Sequence, residues 1–407
     1  MSFISNIKSN YNPKRLAVKL NAKGEQFVVK KHPWVFSNSI VKINDNAHTG
    51  DLTIVFSKNK NKVIGLGLYD ANSPIRIKMI HFETTQVDES FFLNKVETAF
   101  EKRLELLQTN TNSYRLLFGE NDGFPGLIAD VYNTVLVVKL YSEIWLPYLQ
   151  AILQSLQKVS ETETIVIRLS RNLQQSNNHE LNDGEVVYGS LKNEVVQFVE
   201  HGVRFSANVI LGHKTGYFLD HRENRRLVGG FSKGKRVLDV FSYAGGFSVH
   251  ALYNDAQEVT SLDISKQALE IAIENGKLND YNGKHITIAG DAFSELKRLI
   301  NNNKTYDVVV IDPPSFAKQQ SEIELAKKKY AQLAELGEKL TSKNGLLVLA
   351  SCSSRVVVQS FFDINLQTFR KQKRVFKNIL NTQHDIDHPV TFPEGSYLKC
   401  AYYRFKD

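Results

Sequence analysis

Between about residues 12 and 84 the apolar positions come in short runs, FVVKKHPWVFSNSIVKI, DLTIVFS, KVIGLGLYD and IRIKMIHF. Gly, Asn, Asp and Pro break these runs, which predicts several short strands and so a small β-barrel or sandwich. From about Asp88 to Val195 the period changes. In SFFLNKVETAFEKRLELLQ, Phe92, Val96, Phe100, Leu104 and Leu107 recur at helical spacing, which predicts one amphipathic helix. LIADVYN and TVLVVKLYS read as strands, a second helix is expected around 145–157, and TETIVIRLS and EVVYGSL complete an α+β pattern. The Asn-rich stretch 170–184 reads as a loop, and Phe124–Pro125–Gly126 as a tight connection.

From about Gly202 strands and helices alternate. RVLDVF, EVTSLDI, HITIAG, YDVVVID and GLLVLAS are short apolar runs separated by helical stretches such as SKQALEIAIENGKLN, AFSELKRLI and EIELAKKKYAQLAELGEKL. Such alternation implies right-handed crossovers and a doubly wound parallel sheet. KRVFKNIL and YLKCAYYRF read as two last strands, a hairpin closing the sheet antiparallel. The pattern divides the chain at 1–85, 86–195 and 196–407.

Composition narrows the class. At 407 residues the chain exceeds one comfortable core and two to three domains are expected. No apolar run approaches the ~18–20 residues of a membrane span, and MSFISNIKSNYNPKR lacks the apolar stretch of a signal peptide. With Cys352 and Cys400 the only cysteines, no disulfide framework is expected and a reducing cytoplasm is the simplest compartment. The formal charge of +8 is localised: residues 1–85 hold 13 Lys/Arg against five acids, and the remainder balances. A basic module on a neutral body suggests a polyanion, although a solubilising surface reads the same way. Lys30 and Lys31 beside Trp34 suit phosphate contact plus base stacking; packing of Trp34 inside the barrel is the competing reading.

Ligands of doubly wound sheets bind beyond the C-terminal strand ends. The first such strand leaves Asp239 followed by SYAGGFS, a loop whose Tyr243, Gly245 and Gly246 are candidate ligand contacts. It lacks the GxGxxG spacing of diphosphate cofactors, so close approach rather than an anion cradle is indicated. The next strands end at Asp263, suited to ribose hydroxyls, and Asp291, suited to an adenine amine. Any one of these acids could instead cap a helix. The fourth strand ends in Asp312–Pro313–Pro314–Ser315–Phe316, a stiff segment able to hydrogen-bond a base edge and stack on its face. The fifth ends in Ala350–Ser351–Cys352–Ser353–Ser354, which makes Cys352 a candidate nucleophile. Cys400, inside an apolar strand, reads as core. His384 and His388 lack a third ligand, so no metal is expected.

These blocks resemble one family, the class I methyltransferases that form 5-methylcytidine in bacterial 23S ribosomal RNA and carry an N-terminal PUA domain. The likeness runs through KKHPWVFSNSI, GENDGFPGLIADVY, GHKTGYFLDHRENRR, DVFSYAGGFSVHAL, DISKQALEIAIEN, GDAF, IDPPSFA, ASCSS and HPVTFPEGSYLK. It implies a PUA barrel, a small α+β domain and a Rossmann-like catalytic domain using S-adenosylmethionine. It further implies ribosomal RNA as partner, free or in a partly assembled large subunit, and leaves a homodimer open. The Cys352 thiolate would add to cytosine carbon 6 and Asp312 would hold the base; the group that removes the carbon-5 proton is not identified. Some related enzymes have a second cysteine in the Asp-Pro-Pro block, where this chain has Ser315. Asp220 and Arg222, with Lys214, are expected near the methionine end of the cofactor or the RNA, or as structural charges. Two alternatives stay open: a guanine N-methyltransferase of the same subunit, which needs no cysteine, and a non-catalytic assembly factor.

Overall fold

The computed structural model describes residues 3–4, 7, 11–44, 46–58 and 62–406. Lys8, Asp45 and Lys60, three of the charges counted in the basic module, lie outside them. Contacts divide the chain into two compact units rather than three segments. One comprises Met1–Val199, Ser206–Leu219 and Ile386–Phe392; the other comprises Glu200–Phe205, Asp220–Asp385 and Pro393–Asp407.

The first unit opens with a six-stranded sheet, in the order Trp34–Phe36, Ile75–His81, Val63–Tyr69, Leu52–Phe56, Arg15–Leu20, Ile40–Ile43. Arg15–Leu20 runs parallel to Leu52–Phe56 and the other pairs are antiparallel. Phe27–Val29, expected as strand, instead ends the helix Ala22–Val29. The Asn21 side chain caps that helix by accepting the Gly24 N–H, and Val28 turns into the sheet's core beside Val18, Val35, Val55 and Ile77. Tertiary burial and the cap outweigh the strand preference of adjacent valines.

A second sheet of the same unit runs Glu185–Tyr188, Thr164–Leu169, Val135–Leu140, Leu127–Tyr132, Ser113–Phe118. The predicted long helix stops at Glu101 and a short one resumes at Leu104. Arg103 interrupts it: the fully buried guanidinium binds both Asp122 carboxylate oxygens, at 3.1 and 2.6 Å, and the Ala99 carbonyl. Leu52, Leu66, Leu68 and Ile80 from the first sheet share one core with Phe91, Phe92, Leu127, Trp145 and Leu153. That shared core makes 1–85 and the stretch after it one packed body.

The second unit carries the parallel sheet, whose elements we number. Its strands are β1 (Arg236–Val240), β2 (Glu258–Asp263), β3 (Lys284–Ala289), β4 (Tyr306–Ile311), β5 (Thr341–Ser351), β6 (Phe376–Thr382) and β7 (Lys399–Phe405). Its helices are α1 (Arg222–Gly230), α2 (Gly246–Tyr253), α3 (Lys266–Lys277), α4 (Ala292–Asn301), α5 (Ile323–Leu340) and α6 (Val358–Gln372). The order is β3-β2-β1-β4-β5-β7-β6, with β7 antiparallel to both neighbours, as the expected closing hairpin requires. Alternate residues of β1, β4 and β5 enter opposite cores. Leu238, Val309, Ile311, Leu347 and Leu349 belong to one, and Val237, Val308, Val310, Leu346 and Val348 to the other. Burial on both faces is why these strands read as unbroken apolar runs.

Among the described residues no helix is long and apolar enough to cross a membrane, and no three His, Cys, Asp or Glu side chains cluster as metal ligands.

Candidate active site

The loop leaving β1 is tightly wound: Phe241, Tyr243 and Gly245 all have positive φ, at 63°, 46° and 77°. A bulky residue such as Phe241 rarely adopts this conformation, and such strain clusters where a backbone is shaped for a ligand. Gly245 has a packing reason as well. A Cβ there would lie 2.7 Å from the Ala272 Cβ on α3, so its bareness serves the approach of a helix, not only of a ligand.

Asp239, the penultimate residue of β1, is fully buried. Its Oδ2 accepts the Ser248 N–H at 3.0 Å and the Ser248 hydroxyl at 2.7 Å, tying the strand to the start of α2. Its Oδ1 is buried without a hydrogen-bond partner among the described residues, as is the Ser242 Oγ. Burial, with Asp312 and Asp263 adding, pushes the Asp239 pKa up to about 7, against the Ser248 bonds. Two orphaned polar atoms beside a strained loop fit a ligand carrying hydrogen-bond donors.

Asp263 takes the Tyr243 N–H on Oδ2 and the Ser265 N–H on Oδ1, both at 2.9 Å, and so holds the β1 loop against the β2 end. Asp291 is exposed and caps α4, its Oδ1 accepting the Ser294 N–H at 3.0 Å and the Ser294 hydroxyl at 2.9 Å. The capping role open for each of these acids is therefore the one Asp291 performs. Gly246 is the first residue of α2.

Beyond β4, Asp312 meets a residue that sequence reasoning passed over. The His221 Nε2 lies 3.4 Å from the Asp312 Oδ1. Burial disfavours a charged imidazole, but the Asp312 carboxylate outweighs this and the His221 pKa is raised. The Asn224 amide faces the His221 Nδ1 at 3.1 Å, while its Oδ1 accepts the Thr382 and Tyr402 hydroxyls at 2.5 and 2.9 Å. With Nδ1 receiving that amide, the ring hydrogen sits on Nε2, the nitrogen on the Asp312 side. Pro313 is buried and Pro314 exposed. Phe316 packs against Tyr330 with ring centroids 5.2 Å apart, under the Lys329 ammonium at 5.0 Å.

Cys352, partly buried just past β5, directs its thiol at the Pro313 carbonyl, 3.8 Å away. Burial, then Asp312 and Asp220, push its pKa up to about 12, and Lys399 works against them. Ser351 donates to the Tyr330 hydroxyl at 2.9 Å, which braces the same strand end. Cys400 is wholly buried in the sheet's core, and burial raises its pKa.

The remaining candidates are held elsewhere. Arg222 is fully buried and forms an ion pair with Asp385 at 2.8 Å. Asp220 accepts the Tyr397 hydroxyl at 2.9 Å. In the first unit, Lys30 and Lys31 are exposed. Trp34 donates its indole N–H to Glu120 at 3.1 Å and meets His32 and Phe392 edge to face, so its ring is largely engaged in packing. The His384 Nε2 accepts the Tyr397 and Leu398 N–H groups, and the His388 Nδ1 lies 2.8 Å from the Asp387 Oδ1.

Known proteins supply an independent view. The family described as S-adenosylmethionine-dependent methyltransferase matches residues 114–375, and a PUA-like domain matches 18–82. A ribosomal RNA large subunit methyltransferase from Deinococcus radiodurans is 39% identical over 396 residues, covering 95% of this chain and 97% of its own. A ribosomal RNA large subunit methyltransferase I from Escherichia coli is 33% identical over 384 residues, covering 93% and 96%. Among solved structures, a SAM-dependent methyltransferase fold from Streptococcus mutans superposes with a TM-score of 0.80 at 22% identity, over 95% of this chain and 99% of its own. A methyltransferase solved with SAH matches equally well, at 0.80 and 22%, over 96% and 100%.

Proposed function

Because the chain belongs to the S-adenosylmethionine-dependent methyltransferase family and carries a PUA-like domain, we propose that it methylates carbon 5 of a cytosine in large-subunit ribosomal RNA, with Cys352 as nucleophile. The rRNA substrate follows the names of its relatives. The choice of cytosine carbon rests on one observation: the Cys352 thiol lies 3.8 Å from the Pro313 carbonyl, at the strand end next to Asp312. A guanine N-methyltransferase has no use for a thiol in that position.

S-adenosylmethionine supplies an electrophilic methyl group on a sulfonium. Asp239, Ser242, Tyr243, Gly245 and Gly246 line its proposed site, with Asp263 for the ribose and Asp291 for the adenine edge. Cytosine carbon 5 is a weak nucleophile. Addition of the Cys352 sulfur to carbon 6 makes an enamine whose carbon 5 can accept the methyl. Loss of the carbon-5 proton then re-forms the ring double bond as the carbon–sulfur bond breaks. Asp312, beside His221, accepts a hydrogen of the exocyclic amine and, when protonated, donates to N3, where charge develops, and Pro313, Pro314 and Phe316 present a stacking edge. Lys30 and Lys31, with Trp34 behind them, form the RNA-facing part of the 1–85 segment; 86–195 supports it, and 196–407 carries the chemistry.

RNA containing 5-fluorocytidine tests this reading, because fluorine cannot leave as a proton. The RNA should remain bonded to Cys352, and Cys352→Ala should lose both adduct and methylation while still binding S-adenosylmethionine. Methylation retained in Cys352→Ala refutes the covalent route. Failure of the intact chain to bind S-adenosylmethionine would favour an assembly factor.

A further inference from the structure

The turn after β5 that carries Cys352 is anchored from below by a buried cation. Lys399 opens β7, opposite Ser351 in the antiparallel register. Strand alternation gives it the same face as Ala401, Tyr403 and Phe405, all buried in one core. An apolar side chain is what that position calls for. A lysine stands there instead, 1% exposed.

Its Nζ donates to the carbonyls of Ser353, Val356 (2.6 Å) and Tyr397 (3.1 Å). An ammonium has three hydrogens, and three carbonyls receive them. Two of those carbonyls belong to the turn that begins at Cys352. The charged form therefore suits the site, although burial draws the Lys399 pKa down to about 8. The groups acting on the thiol come from four directions: Asp312 beyond β4, Asp220 before α1, Tyr330 on α5 and Lys399 on β7. The two carboxylates oppose a thiolate and the ammonium favours it.

We propose that Lys399 is a positioning residue for Cys352, clamping the Ser353–Val356 turn through its backbone carbonyls and lending the sulfur a buried positive charge. The proposal rests on the reading of Cys352 as nucleophile. An uncharged residue of similar length could fill the core without desolvating an ion, but it would leave the three carbonyls without a donor and the sulfur without a positive neighbour.

The test is the pH profile of Cys352 alkylation by iodoacetamide in the intact protein, read by peptide mass mapping so that Cys400 is counted separately. Lys399→Met should slow alkylation at pH 8 by about tenfold or more and move the profile to higher pH. The kcat of methyl transfer should fall while KM for S-adenosylmethionine is unchanged, and Lys399→Arg should recover part of both. A Lys399→Met profile superimposable on that of the natural protein overturns the proposal. If that variant does not fold, Cys352→Asp reads the coupling in reverse, since a fixed carboxylate should raise the Lys399 titration by about one pH unit; an unmoved titration is equally fatal. Normal methylation by Cys352→Ala would sink the nucleophile reading, whereas the alkylation profile reports on Lys399 alone.

Discussion

Replacing Asp239 with Asn asks what a wholly buried carboxyl costs at the mouth of β1. In the folded protein its pKa is about 7, against an ordinary 3.8. Below pH 3.8 folded and unfolded states are both protonated and the group contributes nothing. Between 3.8 and 7 the unfolded chain gives up the proton and the folded protein keeps it, so stability falls as pH rises. Above 7 the loss is complete, at most about 4 kcal/mol from three pH units at about 1.4 kcal/mol each. Asn keeps an oxygen for the Ser248 N–H and never ionises. An amide nitrogen left without an acceptor costs about 1–3 kcal/mol, but that offset is independent of pH. Urea unfolding at pH 4 and pH 8 should therefore show the stability of Asp239→Asn, relative to the natural protein, improving by about 2–4 kcal/mol across the interval. A difference that stays constant with pH refutes the reasoning. A cationic ligand should favour the ionised carboxyl, so S-adenosylmethionine should bind the natural protein more tightly as pH rises from 6 to 8. Asp239→Asn should bind more weakly and lose that trend.

Other substitutions probe the framework and the surfaces. Arg225 binds both oxygens of the buried Glu200, at 2.7 and 2.6 Å; Arg225→Ala strands that carboxylate and should cost about 3–5 kcal/mol by chemical denaturation. Gly245→Ala meets both a φ of +77° and the Ala272 Cβ, and should lose about 1–3 kcal/mol with a lower Tm. Asp263→Ala frees the Tyr243 N–H and should weaken S-adenosylmethionine about tenfold or more by calorimetry. Deleting 1–85 would open a shared core, so the RNA surface is better tested by Lys30→Glu with Lys31→Glu; RNA affinity should fall and its salt slope should flatten by about two charges.

The catalytic sheet was legible because its central strands are buried on both faces and leave continuous apolar runs, with polar residues concentrated at their ends. Finer assignments needed the third dimension. A carboxylate before a helix reads alike whether it holds a ligand or caps the helix, and only the Ser294 contacts reveal what Asp291 does. Asp220, His221 and Arg222 are consecutive yet face Tyr397, Asp312 and Asp385 respectively; no spacing rule chooses among them. Arg103 broke a helix whose apolar period ran on unchanged, because its partner Asp122 lies 19 residues away. Lys399 left one clue, a lysine at a core position of YLKCAYYRF. Its partners are carbonyls, which carry no side-chain signature. The first sheet's helix was hidden for the opposite reason, since FVV favours a strand and only the Asn21 cap argues otherwise.

The insertion of β7 between β5 and β6 has a consequence for synthesis. Six strands of the sheet leave the ribosome before the one that must enter its interior. Until Lys399–Phe405 arrives, β5 and β6 each present an unpaired edge on the side where β7 belongs, and the Cys352 turn has no ammonium beneath it. If Cys352 is the nucleophile proposed above, a nascent or truncated chain holds the thiol without the ammonium that completes it, and translation order makes reactivity one of the last properties acquired.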